Sequence, residues 1–533
     1  MKRTKTKSII FGIVSILIIF SIAFMLNSPK AKEYDQNDLT KRAVSGEKIE
    51  YTLGGLSEDI LENIDQHRIT SDLSREEMEK KFKKYLYSEY TSLEEGIKET
   101  VKDEKIGIAG EKNMFSAGSL FTHEEALEDI NYLFTNLKYG YAGYEYFGGD
   151  KKFDEAKRKI LKDVKEAEDQ FQRIEALDFQ RIIINNLKFI KDGHFKINYM
   201  ALTDATYTFM NKDEIVKEKD IFYLIDKNKK YPILSIEGKN PKDYMRMSID
   251  KDGKIIYKIV ALKHIKNNSY SMNMTIKDQD KVQKKITMKK VLPATFLSEN
   301  GPYSFEEIEG IPVFKVASFN VDLEKLAKDG LKYSDKEIAI LDLRGNVGGS
   351  CKAGWEWLSN FTNNHVDKIN VISAVLVTDL SKKRVLKGIP NEYEKDKKKE
   401  GIFELYEEET KSSELIGWGK IDTPQLERLK NDKVIIVLFD KNSVSASEGM
   451  ISSLGAMDNV IFIGTNSAGA LNITGTGSNI LPNSKLRIDA GVYMAIEPDF
   501  VWRDGVGYLP DFWVEPDVAL ERTIKFVNNY IKK

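Results

Sequence analysis

The sequence predicts an α/β fold in which strands and helices alternate around a buried sheet. The first observation is the composition, with 41% hydrophobic and 10% aromatic residues, which is that of a folded globular protein. The second is alternation from residue 301 onward. Apolar runs of strand length lie at 311–318, 337–343, 369–377, 434–439 and 460–464. Segments with helical spacing lie between them, at 322–328, 353–362 and 447–454. Such alternation is typical of a layered α/β core.

Length and charge bound the class of protein further. A chain of 533 residues is long enough for two to four domains, each with its own core. Lys and Arg number 81 against 83 Asp and Glu, so no global charge favours nucleic acid as a partner. The single cysteine, Cys351, excludes an internal disulfide framework, and the His-Glu-Glu run at 123–125 lacks the second histidine of a zinc helix. We therefore expect no metal and no cofactor.

The N-terminus carries a targeting signal. Residues 1–7 hold four basic side chains and form a predicted cytoplasmic tail. Residues 8–26 contain no charge and are long enough for one transmembrane helix, here interpreted as an uncleaved signal anchor. This orientation of the anchor places the bulk of the chain outside the cell. The lysine-rich stretch 27–48 is interpreted as a linker. Secretion after signal cleavage is the alternative.

Three regions follow the linker. Residues 49–200 have helical periodicity, and capping-box patterns begin at Ser74 and Thr122. Residues 201–300 contain short β-rich runs separated by turns and predict a small β-rich module. Residues 301–533 form the α/β core, in which the charged stretch 379–430 is expected to be an insertion.

Three short segments could carry chemistry. The first is the serine-rich turn at 442–450, directly after the apolar run 434–439, because a strand-to-helix turn is a suitable mount for a nucleophile. The second is the Asp-Gly-His turn at 192–194, which holds one of only five histidines. The third is the Asp-Leu-Arg-Gly-Asn-Val-Gly-Gly turn at 342–349, whose backbone N–H groups could stabilise a negative charge. Alone, this third turn is equally typical of a tight strand-to-helix connection.

These segments together resemble a known family. Residues 341–349 and the Ser-Val-Ser-Ala-Ser-Glu run at 443–448 are similar to motifs of the S41 peptidases, the C-terminal processing and tricorn protease superfamily. Residues 460–469 resemble that family's later strand and turn, so the likeness covers about 301–520. It implies a ClpP-like or crotonase-like α/β protease core, a peptide or protein substrate, and Ser445 as the nucleophile. The module at 201–300 occupies the place of a PDZ domain in many members and is either PDZ-like or a plain spacer.

The resemblance also divides the family by its catalytic base. Processing peptidases use a lysine twenty-five residues after the serine, but this chain has Ala470 there and no lysine between Lys441 and Lys485. The tricorn-like branch uses a histidine instead, which implies His194 as the general base. The prediction is therefore a Ser-His peptidase.

The remaining site residues also follow from the resemblance. Asp504 stands where that branch has an acid that orients the histidine, and Glu497 is a nearby substitute. The amides of Gly348 or Gly349 and of Ala446 would form the oxyanion hole. Cys351 is interpreted as a packed residue rather than a nucleophile. A catalytically inactive scaffold of the same fold and an esterase acting on non-peptidic substrates remain alternatives, and the sequence does not indicate an oligomeric state.

Overall fold

We describe a computed structural model of the chain that covers residues 52–66, 68–69, 71–92, 115–294, 301–319, 324–366, 370–387, 408–411, 415–424 and 428–532. The predicted tail, transmembrane segment 8–26 and linker lie outside these residues. Within them, no helix is both long enough and apolar enough to cross a membrane.

The N-terminal region is helical, as its periodicity predicts. Its helices are α1 (Glu58–Gln66), α2 (Arg75–Lys83), α3 (His123–Gly140), α4 (Gly149–Ala167) and α5 (Ala176–Leu187). The predicted capping boxes are present: the Ser74 side chain accepts from Glu77 N before α2, and the Thr122 side chain accepts from Glu125 N before α3. Four short strands accompany these helices: β1 (Leu120–Thr122), β2 (Arg173–Glu175), β3 (Lys196–Ile197) and β4 (Met200–Ala201).

The β-rich module is a barrel. Its strands are β5 (Tyr207–Met210), β6 (Ile215–Glu218), β7 (Ile221–Asp226), β8 (Lys229–Ile236), β9 (Met245–Ile249), β10 (Ile255–Lys263), β11 (Ser269–Lys277) and β12 (Lys281–Lys290). They follow the order β5-β12-β11-β8-β7-β6-β10-β9, and an additional β5–β10 pairing closes the ring. Residues 201–294 contain no α-helix. Among these strands β9 lies outside the ring and pairs with β10 alone, so the module retains an edge strand, and both the PDZ-like and the spacer interpretation stay predictions.

The core sheet has six strands in the order β13-β14-β15-β17-β18-β21. Strands β14, β15, β17, β18 and β21 run parallel, and β13 pairs antiparallel at the edge. The elements of this half are β13 (Tyr303–Ile308), β14 (Ile311–Val316), α6 (Glu324–Lys332), β15 (Ile338–Asp342), α7 (Lys352–Thr362), β16 (Ile372–Val375), α8 (Asp379–Lys387), β17 (Val434–Phe439), α9 (Ala446–Gly455), β18 (Val460–Gly464), β19 (Ile473–Ile480), β20 (Arg487–Ile496), β21 (Phe512–Trp513) and α10 (Ala519–Phe526). All six residues of β17 are buried, which explains its unbroken apolar run. The predicted mixed α/β core is confirmed.

A second, antiparallel sheet connects the two ends of the chain. It contains β16, β20, β3 and β4, and β19 pairs with β20. Strand β3 follows directly after the Asp-Gly-His turn and pairs with β20 through Ile197 and Lys196. The N-terminal helices pack on this sheet, because residues of α3 to α5 and of β19 and β20 belong to one hydrophobic cluster. This packing brings a turn from the helical region to the core.

Candidate active site

The serine turn joins β17 to α9. Ser445 is the last residue before α9, with φ 59° and ψ −111°. A non-glycine residue with positive φ costs about 1–3 kcal/mol and persists where the surrounding structure holds it. The side chain is half-buried, and the Ser445 N–H donates to Glu448 Oε2 at 3.1 Å. The turn therefore displays Ser445 at the start of a helix in a strained conformation.

The two neighbouring serines have structural partners. Ser443 Oγ donates to the Leu343 carbonyl at 2.7 Å, and Ser447 Oγ donates to the Asn346 carbonyl at 3.3 Å. Both residues are fully buried. These contacts join the serine turn to the glycine turn and leave Ser445 as the serine best suited to the predicted nucleophile.

Gly348 lies directly against the serine turn. A Cβ at this position would be 2.9 Å from the Val444 carbonyl oxygen and 3.0 Å from Ser445 Cβ, and φ is +87°. Only glycine allows this approach without strain. The Gly348 N–H, however, donates to Asn346 Oδ1 at 2.8 Å. In this structure the amide of Gly348 is thus engaged with Asn346, and its role as an oxyanion donor stays a prediction.

The other two predicted oxyanion donors differ in their surroundings. Gly349 has φ 130° and forms a bridge with Phe319. Ala446 is the first residue of α9, so its N–H lacks an intrahelical carbonyl partner and points out of the helix start. Of the predicted donors, Ala446 is the one that lies at a helix start, where backbone N–H groups favour a negative charge.

The histidine turn is held by buried carboxylates. Asp192 Oδ1 accepts from His194 N at 2.7 Å, and Asp192 Oδ2 accepts from the Tyr141 hydroxyl at 2.9 Å. His194 is 6% exposed, and its Nδ1 has no hydrogen-bond partner among the described residues. Burial, assisted by the charge of Lys196, lowers the pKa of His194 to about 4. The imidazole is therefore neutral at physiological pH, as a general base must be.

One loop, residues 467–472, connects the histidine turn to the serine turn. A Cβ on Gly193 would be 2.5 Å from the Gly469 carbonyl oxygen and 2.7 Å from Ala470 Cβ, so the turn packs closely on this loop. The amides of Gly469 and Ala470 donate to the Glu448 carboxylate at 2.7 and 2.8 Å. Glu448 in turn accepts from the Ser445 amide. Segments about 250 residues apart are thus linked through a single loop and one side chain.

Asp504 holds this assembly in a way that differs from the prediction. Its Oδ2 accepts from Gly193 N at 2.9 Å, and its Oδ1 accepts from Leu471 N at 3.0 Å and Asn472 N at 3.1 Å. It was predicted to orient the imidazole, but it binds the backbone on either side of the contact instead. The short side chain of Asp504 brings its carboxylate within hydrogen-bond distance of these backbone N–H groups. The carboxylate contacts the backbone of the turn and the loop, and its role toward the imidazole stays a prediction.

Asp192 and Asp504 form a buried acidic pair around the turn. Burial raises the pKa of Asp192 to about 7. Burial also raises the pKa of Asp504 well above its usual range, and the nearby charge of Asp192 adds to this. Each carboxylate nevertheless accepts backbone N–H groups that favour its ionised form.

Two other candidates contact different groups. Glu497 Oε1 accepts from the Tyr508 hydroxyl, and burial raises the pKa of Glu497 to about 7. Its Oε2 has no partner within the described part of the chain. Cys351 is 3% exposed, Sγ donates to the Ala446 carbonyl at 3.4 Å, and burial raises its pKa to about 12. The thiol is therefore a packed group, because a nucleophilic cysteine needs a lowered pKa.

Sequence reasoning missed two residues that this geometry brings forward. Glu448 was part of the serine motif but received no role, although a glutamate three residues after an N-cap serine is a capping-box signature. Lys441 is 9% exposed, and its Nζ donates to the carbonyls of Ser467, Ala468 and Gly505. Nothing in the sequence distinguishes Lys441 from the many surface lysines.

An α/β core with a serine at a strand-to-helix turn is an arrangement that serine hydrolases use. Residues 311–514 match the sequence model of Peptidase family S41. This match confirms the predicted resemblance over these residues and supports a serine-type peptidase. No curated protein matches the chain significantly.

Several solved structures match the chain at low identity. Mature CPAF is 14% identical, covering 77% of this chain and 99% of that one, with a TM-score of 0.38. The photosystem II D1 C-terminal processing protease is 12% identical, covering 76% and 95%, with a TM-score of 0.32. The tricorn protease is 11% identical, covering 75% of this chain and 35% of that one, with a TM-score of 0.30.

Proposed function

We propose that the protein is a membrane-anchored, extracytoplasmic serine endopeptidase that uses Ser445 as nucleophile and His194 as base. Ser445 Oγ attacks a peptide carbonyl while His194 takes its proton. The imidazole then returns the proton to the leaving amine, and water hydrolyses the acyl-enzyme. No cofactor is required for this reaction.

The observation that carries this proposal is the link between the two turns. Gly193, next to His194, packs on Gly469 and Ala470, and their amides bind the carboxylate that also binds the Ser445 amide. Position 470 is where the processing peptidases have their catalytic lysine. In this chain it is alanine, and the histidine turn packs against it. A neutral, buried imidazole beside this loop supports the Ser-His assignment over a Ser-Lys mechanism.

Transition-state stabilisation is assigned to the start of α9. The N–H of Ala446 and the helix dipole both favour negative charge at this point. Gly348 would join as a second donor if its amide left Asn346 Oδ1 when substrate binds. Removal of one oxyanion donor typically reduces the rate 10²–10³-fold, so a single donor already contributes substantially.

A fluorophosphonate probe tests the mechanism, because it reacts with activated serines. We expect labelling of the full-length protein at Ser445, located by peptide mass mapping. Labelling should be absent in Ser445→Ala and reduced about 10²–10⁴-fold in His194→Gln. Ser447→Ala is the matched control, since its hydroxyl is engaged with Asn346, and it should leave the label on Ser445. Equal rates in His194→Gln and the wild type would contradict the role of the histidine.

A catalytically inactive, peptide-binding scaffold is the second candidate. It is favoured by the His194 Nδ1 atom, which has no partner among the described residues and so lacks the acid that orients it in a triad. Folded protein that binds peptide without any fluorophosphonate labelling would establish the scaffold. Labelled protein that cleaves ester but not peptide libraries would instead indicate an esterase.

Membrane attachment is supported by the sequence of residues 1–26. The apolar segment 8–26 after a basic tail favours one transmembrane helix with the peptidase outside. We expect the full-length protein in the membrane fraction and accessible to external protease. Recovery in the medium, with the N-terminus near residue 27, would indicate the cleaved, secreted form.

A further inference from the structure

Two buried charged side chains flank Ser445 in sequence. Lys441 lies four residues before it and Glu448 three residues after it, at 9% and 0% exposure. Burying a lysine and a glutamate is costly unless each is fully hydrogen-bonded. Each of them does have a full set of partners, and most of these partners belong to one loop.

Lys441 binds the carbonyl side of that loop. Its Nζ donates to the Ser467 carbonyl at 3.0 Å and the Ala468 carbonyl at 2.8 Å. The third donor bond, at 3.2 Å, goes to the carbonyl of Gly505, which follows Asp504. An ammonium has three donors, and all three are engaged with backbone.

Glu448 binds the amide side of the same loop. Its Oε1 accepts from Ser467 Oγ at 2.6 Å and Gly469 N at 2.7 Å, and its Oε2 accepts from Ala470 N at 2.8 Å. The fourth bond, at 3.1 Å, comes from the Ser445 amide. The loop thus lies between a cation and an anion. Lys441 binds its carbonyl oxygens, and Glu448 binds its N–H groups.

We propose that Lys441 and Glu448 are positioning residues that together clamp residues 467–470 and so align the histidine turn with Ser445. The effect on catalysis rests on the proposed function, whereas the effect on the position of the loop does not. The loop surface formed by Gly469 and Ala470 is the surface on which Gly193 packs. The Lys441 bond to Gly505 additionally fixes the segment of Asp504, which binds Gly193 N. Displacement of the loop would therefore move His194.

The test uses the full-length chain with Lys441→Met, Glu448→Gln and both changes together. Lys258→Met is the matched control, because Lys258 is 7% exposed and its Nζ also donates to backbone carbonyls, of Lys212 and Asp213, but in the barrel. The first measurement is the rate of fluorophosphonate labelling. The second is the ¹³Cε1 signal of His194 in histidine-labelled protein, assigned with His194→Gln.

We expect each single variant to label about 10²-fold more slowly, since misplacement by about 1 Å costs that much. The His194 signal should shift in both variants, and Lys258→Met should change neither measurement. The double variant should label no more slowly than the slower single variant, because the two residues hold one loop. Lys441→Gln, which keeps an amide donor, replaces the methionine variant if circular dichroism shows that the latter does not fold.

The outcomes separate the clamp from the proposed function. Wild-type rates and an unmoved His194 signal in either single variant would overturn the clamp, as would losses that multiply in the double variant. An equal effect of Lys258→Met would also overturn it, because the loss would then follow from removing any buried lysine and not from freeing the loop. If the wild type is not labelled at all, the proposed function fails, and the His194 signal alone decides the clamp: a shift supports it and an unmoved signal rejects it.

Discussion

At the scale of single residues, burial determines the protonation states around the site. His194 and Asp192 are neighbours in one turn, yet burial shifts their pKa values in opposite directions, to about 4 and about 7. Removal from water disfavours the charged form of each, which is the protonated form of the histidine and the ionised form of the aspartate. An imidazole with so low a pKa remains a base in weakly acidic solution.

The pH dependence of labelling tests this environment. The reactive form is the neutral imidazole, so the rate should be constant from about pH 8 down to pH 5 and fall as the pH approaches the pKa near 4. The measurement is the fluorophosphonate rate of the wild type against pH, with circular dichroism to verify folding. A half-maximal rate near pH 6.5, the ordinary value for histidine, would show that His194 is not desolvated in the active protein.

At the scale of elements, the site depends on turns that must approach closely. Strand β17 delivers the serine turn, β15 delivers the glycine turn, and the register of β3 against β20 fixes where the histidine turn lies. Glycine occurs at two close approaches within the site, Gly348 against Ser445 and Gly193 against Gly469. A larger side chain at either position would push the two turns apart.

Gly193→Ala tests the approach of the histidine turn. The added methyl group would meet the Gly469 backbone oxygen at 2.5 Å and Ala470 Cβ at 2.7 Å, and neither is the end of a flexible side chain. We expect labelling to fall at least about tenfold and stability to fall by about 1–3 kcal/mol, measured by urea unfolding.

Gly118→Ala is the control for this change, because a Cβ at that position has nothing within 4 Å. It should leave both labelling and stability near the wild type. Equal labelling rates in Gly193→Ala and the wild type would show that the turn does not have to approach the loop.

At the scale of the whole molecule, the helical region before the barrel packs against the α/β core that follows it. The N-terminal helices contribute to the same hydrophobic cluster as β19 and β20, and Arg68 reaches the core sheet. Arg68 Nη1 donates to Asp511 Oδ1 at 3.0 Å, and Nη2 donates to the Val460 carbonyl at 2.5 Å. Both members of this ion pair are buried, with side-chain exposures of 2% and 0%.

Arg68→Met should therefore destabilise the entire fold. The change removes the guanidinium that balances the buried Asp511 carboxylate, which costs about 3–5 kcal/mol. The measurement is the urea midpoint, compared with that of Arg181→Met, which breaks an exposed pair with Asp178 and should cost about 0–1 kcal/mol. A loss no larger than that of Arg181→Met would mean that the N-terminal region is not fastened to the core through this pair.

Much of the fold was predictable because its signals are local. Strands β17 and β18 were predicted with their observed bounds, because buried parallel strands leave continuous apolar runs. Short strands such as β5, β6 and β9 were missed, since a barrel strand of four or five residues has too little periodicity to distinguish it from a loop. The placement of Ser445 also follows from local motif register.

The contacts of Asp504, Lys441 and Glu448 were not predictable, because they join segments far apart in the sequence. Asp504 was assigned to the imidazole by its position in a motif, but its oxygens bind three backbone amides. The sequence by itself determined the α/β core, the resemblance to S41 peptidases and the serine turn, all of which depend on residues near one another in the chain. Only the tertiary structure decided that the histidine turn and the serine turn lie on one loop, because hydrogen bonds across hundreds of residues depend on how the sheets pack.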